Sequence, residues 1–135
     1  MHLKIYTDGG SRNNPGQAAI AGIIKENDKV VKSFAEAIGV ATNSGAEYLA
    51  LIKALSLAAE LSPQRVACHS DSEFMIRQMK AEYKVKNPRM KKLFDKACIA
   101  EADCGTVEYV HCRREHLIIS ECDSMLNREL DMIGA

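Results

Sequence analysis

A polar break of three residues, Glu26-Asn27-Asp28, separates two long apolar-rich runs, QAAIAGII and KVVKSFAEAIG. A connection that short turns the chain back antiparallel beside itself, because parallel strands need a crossover of a dozen or more residues. Asn and Asp are also turn formers. The preceding run, LKIYTD, alternates apolar and polar residues as a half-buried strand does. The chain is therefore expected to open with three antiparallel strands. From Ser44 to Leu61 the period changes: Leu49, Ile52, Leu55 and Ala58 recur at helical spacing, and Pro63 follows as a stop signal. RVACHSD reads as a short strand, SEFMIRQMKAEY as a helix, and NPRMKKLFDKACIAEA as a helix with Pro88 in its first turn. TVEYVHC is a last strand and ECDSMLNREL a closing helix. The order βββαβααβα predicts an α/β fold, a mixed sheet with helices on its faces.

At 135 residues and 47% hydrophobic content the chain has the size and core of one domain, expected over residues 1–135. No apolar run approaches the roughly 20 residues of a membrane span, so the expectation is a cytoplasmic monomer with no membrane partner. The five cysteines form no C-x-x-C pair, which points to reduced thiols rather than a zinc site or disulfide framework. A net charge of zero excludes a strongly basic, non-specific nucleic-acid binder. Charge is nonetheless uneven. Lys80, Lys84, Lys86, Arg89, Lys91, Lys92 and Lys96 face only Glu82 and Asp95 in that stretch. This is either a solvated helix face or an edge that binds phosphates.

Asp8 stands in YTDGGSRNNPG, where the strand is expected to give way to a flexible loop. Three further acids sit at comparable places. Glu47 lies in the first turn of the first helix, Asp71 follows the fourth strand, and Asp123 opens the last helix. Each has a local explanation: SGAE fits a helix capping box, SDSE fits it too with Asp71 as a possible N-cap, and SECD fits the looser form with Asp. Together they suggest more, because a sheet with helices on its faces places sites at strand ends where strand order reverses. Two carboxylates about 4 Å apart repel by on the order of 4 kcal/mol at an effective dielectric of 20. Four gathered at one edge would need cations. Hard oxygen donors suit Mg²⁺ or Mn²⁺, and two such ions can clamp the attacking and leaving oxygens of a phosphodiester.

The motifs YTDGGSRNNPG, TNSGAEYLALIKAL, HSDSEF and ECDSMLN, in this order and spacing, resemble ribonuclease H, type 1, over nearly the whole chain. The resemblance implies a five-stranded mixed sheet and metal-dependent cleavage of the RNA strand of an RNA–DNA hybrid, leaving 5′-phosphate and 3′-hydroxyl ends. It places the catalytic metal ligands on Asp8, Glu47, Asp71 and Asp123, with two Mg²⁺ or Mn²⁺ ions per site, Asp8 between them. His116 is the candidate for the family's mobile histidine, with His111, Arg113 and Arg114 as alternatives. Substrate contacts are expected from Gly9, Gly10, Asn14, Thr42, Asn43, Ser44 and Glu73, the last standing where many members carry Gln. The short KAEYKVKNPR connection and the absence of Trp resemble the subgroup without a basic protrusion, and no hybrid-binding domain is expected ahead of the catalytic one.

Overall fold

Asn27 and Asp28 form the expected tight turn, with Asn27 in the left-handed region (φ 56°). It joins β2 (Gly16–Glu26) to β3 (Lys29–Ala41), and β1 (His2–Arg12) completes the antiparallel opening. The remaining elements of the computed structural model, which describes residues 1–135, are α1 (Asn43–Ala59), β4 (Arg65–Ser70), α2 (Glu73–Met79), α3 (Pro88–Glu101), β5 (Thr106–His111) and α4 (Leu117–Met132). This is the βββαβααβα order expected. The sheet runs β3-β2-β1-β4-β5, with β1–β2 and β2–β3 antiparallel and β1–β4 and β4–β5 parallel.

The pleat sorts the side chains of β1 to two layers. Leu3 and Ile5 pack with Tyr48, Leu51 and Leu55 of α1 and with Val66 and Cys68 of β4. Tyr6 points the other way, to Ile119, Cys122, Leu126 and Leu130 of α4. Leu51 and Leu55 are almost wholly buried, and each such side chain contributes about 1.5–3 kcal/mol of transfer free energy. Along α1, Ala46, Ala50, Ala54 and Ala58 recur every fourth residue with no exposed surface, so the helix axis lies close to the sheet. Four of the five cysteines are buried and all are free. No helix is long and apolar enough to cross a membrane.

Three boundaries differ from the sequence reading. First, β1 does not end at Asp8. Gly9 and Gly10 continue the ladder opposite Ile20 and Ala19, and the turn comes only at Asn13–Pro15. Glycine weakens a strand locally, but a partner on the β2 side supplies the hydrogen bonds that hold it extended. Second, α2 stops at Met79 rather than running to Tyr83, because Ala81 adopts a left-handed conformation (φ 64°). Third, α4 begins at Leu117, so Asp123 lies in its second turn instead of opening it. Leu117-Ile118-Ile119 reads locally as strand-like, yet Ile119 is fully buried on the same stripe as Cys122, Leu126 and Leu130.

Candidate active site

The parallel β1–β4 ladder ends at the Tyr6–His69 pair. Asp8 and Asp71 each lie two residues further on, beyond the last paired rung and on the pleat face of Tyr6 and His69. Asp8 is buried, paired across to Ala21 of β2. Asp71 follows β4 directly and is partly exposed.

Glu47 arrives from the opposite layer. A Cβ built at Gly9 would lie 2.4 Å from the carbonyl carbon and oxygen of Ala46, so any side chain there would displace α1. Its absence lets the first turn of α1 press onto β1, and the Gly9 amide donates to Glu47 Oε1 at 2.7 Å. Gly9 is thus a requirement of helix–strand packing. At Gly10 an added Cβ would meet only Leu126 Cδ1 at 3.7 Å. Carboxylate oxygens of Asp8, Glu47 and Asp71 lie within 4.8 Å of one another. Asp123, from α4, faces the same cleft of about 690 Å³ and adds its negative charge to the field at Asp8.

The capping explanations do not hold for these acids. Thr42 caps α1, accepting from Gly45 N, while Glu47 is spent on Gly9. Ser72, not Asp71, occupies the N-cap of α2. His116 occupies the N-cap of α4, its Nδ1 accepting from Ile118 N at 3.2 Å. What the acids make instead is a concentration of like charge. Desolvation, then the charges of Asp71 and Asp123, push Asp8 up to about 8, against a small lowering by the Gly9 amide. Glu47 is raised well above the usual carboxylate range by desolvation first and by Asp8 and Asp71 second. A site that makes carboxylates hold protons is one that divalent cations fit. The donor set is all oxygen, with no sulfur or imidazole in the cluster, as hard cations such as Mg²⁺ or Mn²⁺ prefer.

The expected substrate residues divide. Asn14 and Asn43 brace the cleft rim: Asn14 Oδ1 accepts from Asn43 N at 2.9 Å, and Asn43 Oδ1 accepts from Ser11 N at 2.9 Å. Asn43 and Gly10 line the cleft. Ser44 instead lines a small pocket beside Tyr48 and Gln78. Glu73 pairs with Arg77 at 3.5 Å and lines a second, wider cavity between α2 and α3. His116 does not line the cleft; its ring stacks on Tyr6 at 5.5 Å, and Tyr6 stacks on His69 at 4.5 Å. His111, Arg113 and Arg114 do line it.

The second cavity adds two aromatics, Phe74 and Tyr83, that carry no role in the sequence reading. Phe74 and Tyr83 are exposed aromatics 5.3 Å apart, with the Arg77 guanidinium 5.5 Å from the Tyr83 ring. Lys84 and Lys86 complete the wall. The signal available was a pair of aromatics nine residues apart, Phe74 in the helical run and Tyr83 within the basic stretch that follows it.

Comparison with known proteins bears on the same residues. The family model described as "Reverse transcriptase-like" matches residues 6–124. The bifunctional protein Rv2228c of Mycobacterium tuberculosis is 38% identical over 111 residues, 81% of this chain, which spans 30% of that relative's length. The solved N-terminal RNase H domain of the same protein superposes with a TM-score of 0.92 at 32% identity, covering 97% of this chain and 94% of that one. LC11-RNase H1, solved in complex with an RNA/DNA hybrid, gives 0.91 at 33% identity, covering 98% and 99% of the two chains.

Proposed function

The chain belongs to the ribonuclease H type 1 family, in the short form without a basic protrusion, and from that premise we propose that it is an endoribonuclease cutting the RNA strand of RNA–DNA hybrids. The observation that carries this reading is the meeting of Asp8, Glu47 and Asp71 within 4.8 Å, with Asp123 facing them across one polar cleft. Asp8, Glu47, Asp71 and Asp123 would hold two Mg²⁺ or Mn²⁺ ions. When bound, such ions lower the pKa of a water and stabilise charge on the attacking and leaving oxygens of a phosphodiester. The water oxygen bonds to phosphorus as the bond to the 3′ oxygen breaks, leaving 5′-phosphate and 3′-hydroxyl ends.

The chain's own groups do the rest. Asp8 and Glu47 give up protons that crowding and desolvation make them keep in the absence of a cation. His111, Arg113 and Arg114 bring donors to the cleft wall, where they would face a phosphate. Asn14 and Asn43 have their Oδ1 atoms engaged, so each offers a hybrid its Nδ2 donor, suited to the 2′-hydroxyl that marks RNA. Phe74, Tyr83, Lys84 and Lys86 supply stacking faces and charge for a nucleic-acid strand running away from the cleft.

The test is a substrate panel: labelled RNA–DNA hybrid, duplex DNA and duplex RNA, each with Mg²⁺ and with Mn²⁺. Cleavage of the RNA strand of the hybrid alone is expected. Asp8→Asn is expected to abolish it, a loss of about 10³-fold or more, while circular dichroism and melting show an intact fold. Tight hybrid binding with no cut strand would overturn the proposal, and cleavage of duplex DNA would move the chain to another nuclease activity.

A further inference from the structure

Asp123, Asn127 and Asp131 recur every four residues along α4 and so stack on one face of the helix. Arg12, at the end of β1, reaches this face. Its Nη2 donates to the backbone oxygen of Asn127 at 3.2 Å and to Asn127 Oδ1 at 3.3 Å, and sits 2.6 Å from Asp131 Oδ1. Its Nη1 donates to the backbone oxygen of Ala135. Asn127 Nδ2 in turn donates to the backbone oxygen of Asp123 at 2.9 Å and to Asp123 Oδ1 at 3.3 Å. A guanidinium can only donate and an ionised carboxylate can only accept. The Asn127 amide therefore has one orientation that satisfies both neighbours, oxygen toward Arg12 and nitrogen toward Asp123.

The geometry points to Asn127 as a positioning residue for Asp123, itself held by Arg12. The strand that carries Asp8 also carries, four residues on, the cation that sets the orientation of the amide beside Asp123. With Oδ1 engaged by Asn127, the second oxygen of Asp123 is the one left for the cleft. The relay registers α4 against β1 beyond what the contacts of Leu126 and Leu130 supply, since apolar packing is non-directional and does not orient a carboxylate. Partners that orient ligating carboxylates commonly set metal affinity.

The inference rests on the metal-holding role proposed for Asp123, and the readout is chosen to be independent of cleavage: Mn²⁺ titration of the metal-stripped full chain by calorimetry, without nucleic acid. Asn127→Ala is expected to weaken Mn²⁺ binding by about 10- to 100-fold. Arg12→Gln, which leaves the acids untouched, is expected to weaken it in the same direction. The double variant is expected to bind no worse than Asn127→Ala alone, because Arg12 acts through the amide. In cleavage assays Asn127→Ala should need more Mn²⁺ for half-maximal rate, with KM for hybrid unchanged and the rate recovered in excess Mn²⁺. Wild-type Mn²⁺ affinity in both single variants, with only the melting temperature lowered, would overturn the inference and leave a purely structural tie. If Asn127→Ala fails to fold, Arg12→Gln carries the measurement. A wild-type chain that binds Mn²⁺ but cuts no hybrid counts against the proposed function alone, and one that takes up no Mn²⁺ overturns both.

Discussion

Helices α1 and α4 each bring one carboxylate to the same strand, from opposite faces of the sheet, by different means. On α1 the approach is steric and main-chain. A row of alanines lies flush on the sheet, Gly9 removes the side chain that would hold the helix off, and the Gly9 amide takes Glu47 directly. On α4 the contact is made by larger side chains, Ile119, Cys122, Leu126 and Leu130, and Asp123 is held by a side-chain amide and an arginine. A backbone donor inside a sheet has no rotamers to lose, whereas an Asn–Arg relay must be kept in register by its own hydrogen bonds. Glu47 is accordingly held stiffly, and Asp123 adjustably.

The sharpest way to break this contrast is at the two adjacent glycines. Gly9→Ala puts a methyl group against the Ala46 backbone, which cannot rotate away. It is expected to destabilise the fold by about 3 kcal/mol or more and to abolish cleavage, because Glu47 leaves with α1. Gly10→Ala meets only the end of Leu126 and is expected to leave the denaturation midpoint nearly unchanged. Equal effects at the two positions would remove the case for a steric approach on the α1 side.

A smaller effect concerns charge. The raised Asp8 and Glu47 hold protons in the folded chain that the unfolded chain has already lost. Between an ordinary carboxylate value near 3.8 and about 8 the native state therefore binds more protons, and stability contributed by Asp8 falls as pH rises through that window. Melting in chelator should show stability decreasing across it. The decrease should be shallower in Asp8→Asn and largely reversed by Mn²⁺. A wild-type chain whose melting pH profile matches that of Asp8→Asn would contradict the crowding of charge at this edge.

The smallest effect separates caps from ligands. Thr42→Ala removes the side-chain acceptor for Gly45 N and is expected to cost about 1 kcal/mol, lowering the melting temperature by a few degrees while the Mn²⁺ requirement stays at the wild-type level. A raised Mn²⁺ requirement would mean that the first turn of α1 positions Glu47 less stiffly than its backbone contact implies.

Much of this arrangement was legible in the residues. The three-residue break at Glu26–Asp28 set the hairpin, periodicity separated strands from helices, and the four motifs named the acids. What misled were places where local preference and tertiary context disagree. Gly9 and Gly10 read as a loop because glycine punctuates chains, but ladder partners on β2 hold them extended. Leu117–Ile119 carried no helical signal of its own until Ile119 had a sheet to pack against. Glu73 followed Asp71 by two residues in a motif, yet the start of α2 turns it toward a different cavity. His116 was noted for its chemistry, and the structure uses its ring as a helix cap beside Tyr6. Phe74 and Tyr83 meet only because α2 ends early at the left-handed Ala81.

By itself the sequence determined the order of elements, the antiparallel opening and the presence of hard oxygen donors in four separated motifs. These follow from turn chemistry, residue period and side-chain type, which act over a few residues. Only the tertiary structure decided that Glu47 crosses to Gly9, 38 positions away, that Asp71 lies beside Asp8 where the β1–β4 ladder stops, and that Arg12 and Asn127 stand behind Asp123. Those meetings depend on how closely a helix can press on a strand and where two strands part, and no local rule along the chain contains either distance.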